Sequence, residues 1–325
     1  MYHNKNILRS VISFFIGKHV LSILIYHRVL DCSDPYIRGE IDKHEFESHM
    51  RYLSRFFMVI SLAEALDRIK SNSIKKNCAV ITFDDGYKNN IRNALPILKK
   101  YRMPATFFVS TGFLDGGLMW NDIIIESLRR TSNNEIDLRD EGLGYYSLKN
   151  ISERSHAITN IIKKLKYLDS LRRDELVSKI KCLSDVNLPD DIMMNEEDIS
   201  HLARSGMELG AHTVTHPILS RISDDDASFE IQKSKHDLES ISGGKVFAFA
   251  YPNGRPGKDY LYKHVDMVRS AGFSCALSTA PGVCASDCDV YQLPRFTPWD
   301  RSYYKFIYRM WKNMKNDRPS VIERN

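Results

Sequence analysis

The 325-residue sequence predicts an α/β fold with a parallel sheet and helices outside it. Three observations carry this. Short apolar runs alternate with helical patterns along most of the chain. The strand candidates are continuously apolar, as strands covered on both faces are, rather than alternating. Enough strand–helix units occur to close a barrel.

The elements follow in order. Residues 7–16 (ILRSVISFFI) read as a short amphipathic helix within an N-terminal segment, 1–20. That run is broken by Arg9 and is too short to span a bilayer. No small-x-small cleavage site follows, and an uncleaved signal anchor is the alternative. Residues 21–26 (LSILIY) read as a buried strand, and 44–57 place Phe46, Met50, Leu53 and Phe57 at helical spacing. Ser61 and Glu64 form a capping box. Residues 78–83 (CAVITF) are a β-branched strand, 91–98 a helix, and 105–109 a strand after Pro104. Further strands are expected at 207–209, 246–249 and 275–277, and helices at 224–241 and 258–270. Residues 115–194 are polar, lack strong strand signals and read as a helical insertion, with helices at 121–130, 151–168 and 170–183.

Composition excludes several classes. Hydrophobic residues make up 43% and charged residues 27%, which rules out a disordered chain and a polytopic membrane protein. The net charge is +5, and residues 301–325 alone carry seven basic groups against two acids, so the rest is formally neutral. The basic balance therefore belongs to the C-terminus and not to a nucleic-acid-binding body. The six cysteines are scattered and form no disulfide framework. Cys284 and Cys288 read as ordinary loop cysteines, a structural zinc there being the alternative.

Three clusters carry chemistry, and each follows a strand. In Thr82-Phe83-Asp84-Asp85-Gly86-Tyr87, Gly86 permits a sharp turn, so that neighbouring carboxylates can reach one cavity. In His212-Thr213-Val214-Thr215-His216, two histidines at i and i+4 face the same side of a helical turn, an arrangement that suits two ligands of one metal. In Ala250-Tyr251-Pro252-Asn253-Gly254, a turn exposes backbone N–H groups to an oxyanion. A solvated turn or two surface histidines would explain each cluster alone. Together, one carboxylate and two imidazoles make a three-ligand divalent site with open positions, and the spare carboxylate can deprotonate water.

With these residues the sequence resembles the polysaccharide deacetylases, the NodB homology domain of carbohydrate esterase family 4, over residues 21–300. TFDDG is matched at 82–86 and H-[S/T]-x-x-H at 212–216. The resemblance implies a distorted (β/α) barrel, usually of seven strands. It implies Asp84 as general base, Asp85, His212 and His216 as metal ligands, and Thr213 as a prop of the histidine loop. Zinc is the default cation for this ligand set, and cobalt, nickel or manganese fit it too.

Two motifs depart from the family pattern. Ala250 stands where an arginine normally orients the base, and Asn253 replaces a tyrosine, although the Asn253 N–H can still serve the oxyanion. The usual Leu-x-His that supplies the general acid is absent, and the equivalent region reads Gln292-Leu293-Pro294-Arg295-Phe296. His27 is then the candidate proton donor, with water as the alternative. Tyr87, Tyr251, Pro252 and Arg295 are the expected substrate contacts, Arg295 toward an anionic group.

The resulting expectation is a deacetylase that releases acetate from an N-acetylated polysaccharide or lipid-linked glycan. The alternatives are hydrolysis of an amide or O-acetyl ester on a small molecule, and a silent glycan-binding protein. No nucleic-acid partner is expected. Residues 301–325 interleave aromatic and basic residues and read as a helix docked on the barrel, with peripheral membrane contact as the other reading. With no cleavable signal in view, a cytoplasmic or membrane-associated protein is expected.

Overall fold

The computed structural model of the chain describes residues 19–37, 39–284 and 288–324. The helix expected at 7–16 lies outside the described residues. Seven strands form one parallel sheet: β1 (Leu21–Tyr26), β2 (Met58–Val59), β3 (Cys78–Phe83), β4 (Thr106–Val109), β5 (Glu208–Ala211), β6 (Ala248–Ala250) and β7 (Cys275–Leu277). Their order is β1-β3-β4-β5-β6-β7, with β2 paired to the start of β3. β1 and β3 pair along their whole length, from Leu21 opposite Cys78 to Tyr26 opposite Phe83.

The sheet curls, and an extended segment closes its seam. The Phe296 N–H donates to the Ile23 carbonyl and the Ile25 N–H to the Phe296 carbonyl, both at 3.1 Å. On the other edge, the Leu293 N–H donates to Ala276 at 2.9 Å and the Ser278 N–H to Leu293 at 2.8 Å. Leu293–Phe296 thus runs parallel to both β1 and β7. The result is the distorted (β/α) barrel the motifs implied.

Strand alternation sorts the side chains into two cores. Ile23, Val80, Phe108, Ala250 and Leu277 point inward and meet Leu62, Leu66 and Ile69 of the helix that follows β2. Leu24, Ile81, Phe107, Phe249 and Tyr251 point outward against the surrounding helices. Burying one such side chain is worth roughly 1.5–3 kcal/mol, which fixes strand register firmly.

The helices are α1 (Lys43–Phe56), α2 (Leu62–Lys70) and α3 (Leu95–Tyr101) before the insertion. Asp42 caps α1 with a reciprocal bond to Glu45, and the Ser61 side chain caps α2. The insertion comprises α4 (Trp120–Arg130), α5 (Ile151–Leu165) and α6 (Ser170–Ser184). It also holds an antiparallel hairpin, Glu135–Leu138 with Gly144–Ser147, so the expectation of a purely helical insertion is corrected. Glu135-Ile136-Asp137-Leu138 does alternate, with Ile136 and Leu138 buried, but the run is short and half charged. The insertion has its own core, built from Leu128, Leu138, Ile158, Ile161 and Ile180, which packs on Leu30 and Ile37 of the segment after β1.

Beyond it come α7 (Glu196–Arg204), α8 (Asp224–Ser242) and α9 (Tyr262–Ser270). The last helix, α10 (Tyr303–Met314), buries Phe306, Met310 and Met314 completely, and Phe306 stacks on His49 at 3.8 Å. The tail is therefore docked through its apolar face. Among the described residues no helix is long and apolar enough to cross a membrane. Cys284 and Cys288 are joined in a disulfide, which corrects the reading of both as ordinary loop cysteines.

Candidate active site

All catalytic candidates sit where parallel strands end, the usual location of sites in such barrels. β3 stops at Phe83, and Asp84 keeps the strand's alternation: like Thr82 it faces the barrel interior. Asp85 would face away, but its φ of +77° followed by Gly86 at +94° turns it into the same cavity. A Cβ on Gly86 would meet Val109 Cγ1 at 3.0 Å, so glycine is required twice over.

His212 and His216 follow β5, but not on a helical turn as the i, i+4 spacing predicts. They lie on an irregular loop with Thr213 at φ +66° and His216 at +55°. Side-chain bonds to the backbone hold this loop in place of helical ones. The Thr213 hydroxyl donates to the His212 carbonyl and accepts from the His216 N–H at 3.1 Å. Glu230 of α8 accepts from the Val214 N–H at 2.6 Å, the Thr215 N–H at 2.9 Å and the Thr215 hydroxyl at 2.6 Å. The Ser110 hydroxyl donates to the His212 carbonyl at 2.9 Å while its N–H reaches the Asp85 carbonyl at 3.3 Å, which ties the two motif loops together.

The four groups converge. Asp85 Oδ1 lies 3.5 Å from both His212 Nε2 and His216 Nε2, and Asp84 Oδ2 lies 3.7 Å from His212 Nε2. One donor atom each from Asp85, His212 and His216 falls within 4.8 Å of the others. His212 Nδ1 donates to the Ala250 carbonyl at 2.7 Å, which orients the ring so that Nε2 faces Asp85. Burial lowers the His216 pKa to about 4 despite the Asp85 charge, so this ring is neutral near pH 7. Asp85 Oδ1 is buried without a hydrogen-bond partner. An orphaned carboxylate oxygen facing two imidazole nitrogens is the donor set a divalent cation requires, and the residues fit one.

Arg295 supplies what the sequence reading missed. Its guanidinium grips Asp84 with two parallel bonds, Nη1–Oδ1 at 2.7 Å and Nη2–Oδ2 at 2.8 Å. Nε donates to the Ser278 carbonyl at 3.0 Å, and Phe108 lies beneath the plane at 5.5 Å. The side chain is fully buried. The expectation that Arg295 contacts an anionic substrate group is corrected, because this guanidinium is committed to Asp84. The expectation that Asp84 lacks an arginine partner falls with it. Burial pushes the Asp84 carboxyl up, but the charges of Arg295 and His212 and the bonds from Arg295 outweigh it and hold the pKa below the usual range.

Other candidates fall on either side of the cavity. Tyr251 shares the outward face of Phe249, stacks on Tyr260 at 3.9 Å and donates its hydroxyl to the Tyr291 carbonyl at 3.0 Å. Alternation thus removes it from the substrate, a second correction. Pro252 is buried, and its carbonyl accepts from the Gly254 N–H at 2.6 Å. Asn253, at φ +57°, is half-buried, its carbonyl accepts from Thr279 Oγ1 at 2.7 Å, and its N–H makes no backbone bond among the described residues. Tyr87 is buried, and its hydroxyl donates to Asp122 of α4 at 3.0 Å, so it too is unavailable to a substrate. Burial raises the Asp122 pKa to about 6, against the pull of Arg28 and the Tyr87 bond. His27 follows β1. Burial pulls its pKa down, but the charges of Asp85, Glu40 and Asp84 outweigh burial and raise it.

The sequence matches the polysaccharide deacetylase family over residues 71–276. The Bacillus subtilis (strain 168) protein YxkH, which bears the polysaccharide deacetylase name, is 23% identical over 277 residues, 85% of this chain and 70% of that protein. The poly-β-1,6-N-acetyl-D-glucosamine N-deacetylase of Staphylococcus aureus (strain MSSA476) is 38% identical over 73 residues, 22% of this chain and 25% of that one. The fold is shared with the Streptococcus pyogenes deacetylase PplD, solved with acetate, at TM-score 0.60 and 17% identity over 91% of this chain and 98% of that one. IcaB from Ammonifex degensii aligns at TM-score 0.57 and 20% identity over 89% and 96% of the two chains. The family match, which spans the Asp-Asp and His-x-x-x-His loops that meet at the barrel mouth, shows that this chain belongs to the polysaccharide deacetylases, hydrolases of non-peptide carbon–nitrogen bonds.

Proposed function

We propose that the protein is a metal-dependent deacetylase that hydrolyses N-acetyl groups on a polysaccharide or lipid-linked glycan and releases acetate. The observation that carries this reading is the meeting of Asp84, Asp85, His212 and His216 around a buried, unpaired Asp85 oxygen. The Staphylococcus aureus relative, by name an N-deacetylase of an N-acetylglucosamine polymer, supports an amide as the bond cleaved.

Asp85, His212 and His216 would hold the cation, with zinc the default for this donor set. When bound there, such a cation would supply Lewis acidity toward the acetamide carbonyl and the attacking water. Asp84 takes a proton from the attacking water as the new C–O bond forms. Arg295 keeps Asp84 ionised and fixes the direction of its lone pairs. The Asn253 N–H donates to the oxyanion that grows on the former carbonyl oxygen. When the C–N bond breaks, His27 gives its proton to the leaving nitrogen, which departs as the sugar amine while acetate remains.

The test is acetate release from an N-acetylated glycan, measured together with bound metal. Asp84→Asn should keep a full complement of cation and lose about 100–10,000-fold in turnover. His212→Ala should lose both. Full acetate release by Asp84→Asn would remove Asp84 from the role of base.

A further inference from the structure

We propose that two clefts flanking Trp299 bind a stretch of glycan carrying a carboxylate or phosphate group on a sugar, so that the substrate class is an acidic N-acetylated glycan. This rests on the deacetylase reading of the catalytic centre and specifies its substrate.

Trp299 comes three residues after Phe296. Leu293–Phe296 runs parallel to β1, so Trp299 stands at the same end of the barrel as Asp84 and the histidines. Trp299 is 52% exposed, and the Arg309 guanidinium lies 4.2 Å from its ring centroid. Asp300 pins Arg309 through both Nε and Nη2. A fixed, half-open indole offers a flat apolar surface to the C–H face of a pyranose. Each side of it opens into a cleft. One, of about 840 Å³, is lined by Ser33, Arg301 and Lys305. The other, of about 450 Å³, is lined by Thr279, Lys312 and Asn316. Both have the size of small-ligand sites. The second cleft adjoins the catalytic centre, since Thr279 holds the Asn253 carbonyl at 2.7 Å and Arg295, also in its wall, grips Asp84.

The charge balance around the clefts selects the ligand. The acids there are already matched: Asp34 pairs with Arg129 at 2.6 Å and Asp300 with Arg309. Lys305 and Lys312 are exposed, and no carboxylate pairs with either among the described residues. Among the described residues, Arg301 reaches Glu45, at 3.8 Å, and the Ser33 hydroxyl. A second cationic group stands at the mouth. Lys258 lies 4.8 Å from the Tyr167 ring centroid, Arg255 lies over the same ring at 5.7 Å, and Asp259 pairs with Arg255. Unmatched cations on both sides of a sugar-stacking surface raise the local concentration of anionic groups and favour their retention. The cations line concave clefts with an aromatic ring between them, a shape that accepts a chain of sugars better than a flat lipid surface.

Binding separates this proposal from the catalytic one. The full chain bearing Asp84→Asn is titrated calorimetrically with four probes: a heparosan hexasaccharide, a phosphodiester-linked N-acetylglucosamine oligomer, neutral chitohexaose and polyglutamate. At least one acidic sugar should bind tenfold or more tighter than chitohexaose, and the better of the two identifies the charged group. Lys305→Gln with Lys312→Gln should reduce that preference below about threefold. Trp299→Ala should weaken acidic and neutral sugars alike by about fivefold. Equal binding of chitohexaose overturns the proposal, as does polyglutamate binding that matches the acidic sugars. So do variants that lower only sedimentation with phosphatidylglycerol vesicles and leave sugar binding intact. If charge-dependent sugar binding holds but the wild-type protein releases no acetate from the bound sugar, the cleft assignment is supported and the catalytic reading is contradicted for that glycan.

Discussion

The two halves of the barrel mouth carry their chemistry in different ways. At the ends of β3 and β5, each motif is a single short loop in which neighbouring residues carry the proposed roles: Asp84 with Asp85, and His212 with His216. At the ends of β6 and the Leu293–Phe296 segment, the proposed supporting roles are divided. Ala250 contributes only its carbonyl, which holds His212, while the guanidinium that grips Asp84 arrives from Arg295 across the barrel seam. A ligand set depends on side chains that must sit a few ångströms apart. A positioning arginine is long, and only its guanidinium must be in place, so any strand end around the ring can supply it.

That difference can be broken experimentally, beginning with the metal half. His212→Ala or His216→Ala should abolish stoichiometric cation binding and reduce acetate release to background, checked by elemental analysis of the purified variants. If either variant keeps its cation and its activity, the loop does not supply the ligands.

Arg295→Ala should come next. It leaves Asp84 as a buried charge without a partner, a loss of roughly 3–5 kcal/mol in unfolding free energy. Acetate release should fall about 100-fold, and the acidic limb of the pH–rate profile should move upward, because Arg295 holds the Asp84 pKa down. Arg295→Lys keeps the charge but not the paired geometry and should recover only part of the loss. An unchanged profile would make Arg295 structural only.

Glu230→Gln probes the support of the histidine loop. Three donors lose a charged acceptor, so cation affinity should drop about 10–100-fold while the fold persists, measurable by competition with a metal-sensitive dye. An unchanged affinity would leave the loop self-supporting through Thr213.

The smallest effect concerns the docked tail. His49 donates from Nε2 to the Asp300 carbonyl at 3.0 Å, shares a bond between Nδ1 and the Tyr26 hydroxyl, and stacks on Phe306 of α10. Burial lowers its pKa to about 4, against an ordinary 6.5. The unfolded chain therefore binds the extra proton first. The stability this residue contributes is complete above about pH 6.5 and declines as pH falls toward 4, by roughly 1.4 kcal/mol per unit. His49→Gln should flatten that slope in denaturant titrations; an unaltered slope would place the titration elsewhere.

Much of this was legible in the sequence for a physical reason. LSILIY and CAVITF are continuous apolar runs, and the strands occupy those residues. The Asp-Asp and His-x-x-x-His motifs are local, so their spacing could be read directly. What escaped was non-local or depended on backbone sign. The Arg295–Asp84 pair joins residues 211 apart, and nothing in Leu-Pro-Arg-Phe announces a partner. The helical reading of 212–216 failed because Thr213 and His216 adopt positive φ, which spacing alone does not reveal. Tyr251 was misplaced although its parity was available: it lies two residues after Phe249 on a strand that faces outward. The closing segment hid because it makes ladder bonds without a strand's length.

The most direct test is anomalous diffraction from crystals grown with zinc. One peak should lie about 2.0–2.2 Å from an Asp85 oxygen and from Nε2 of both His212 and His216, with Asp84 outside the coordination shell and still gripped by Arg295. A peak ligated by Asp84 in place of Asp85, or no peak between these side chains while zinc binds elsewhere, would contradict the account.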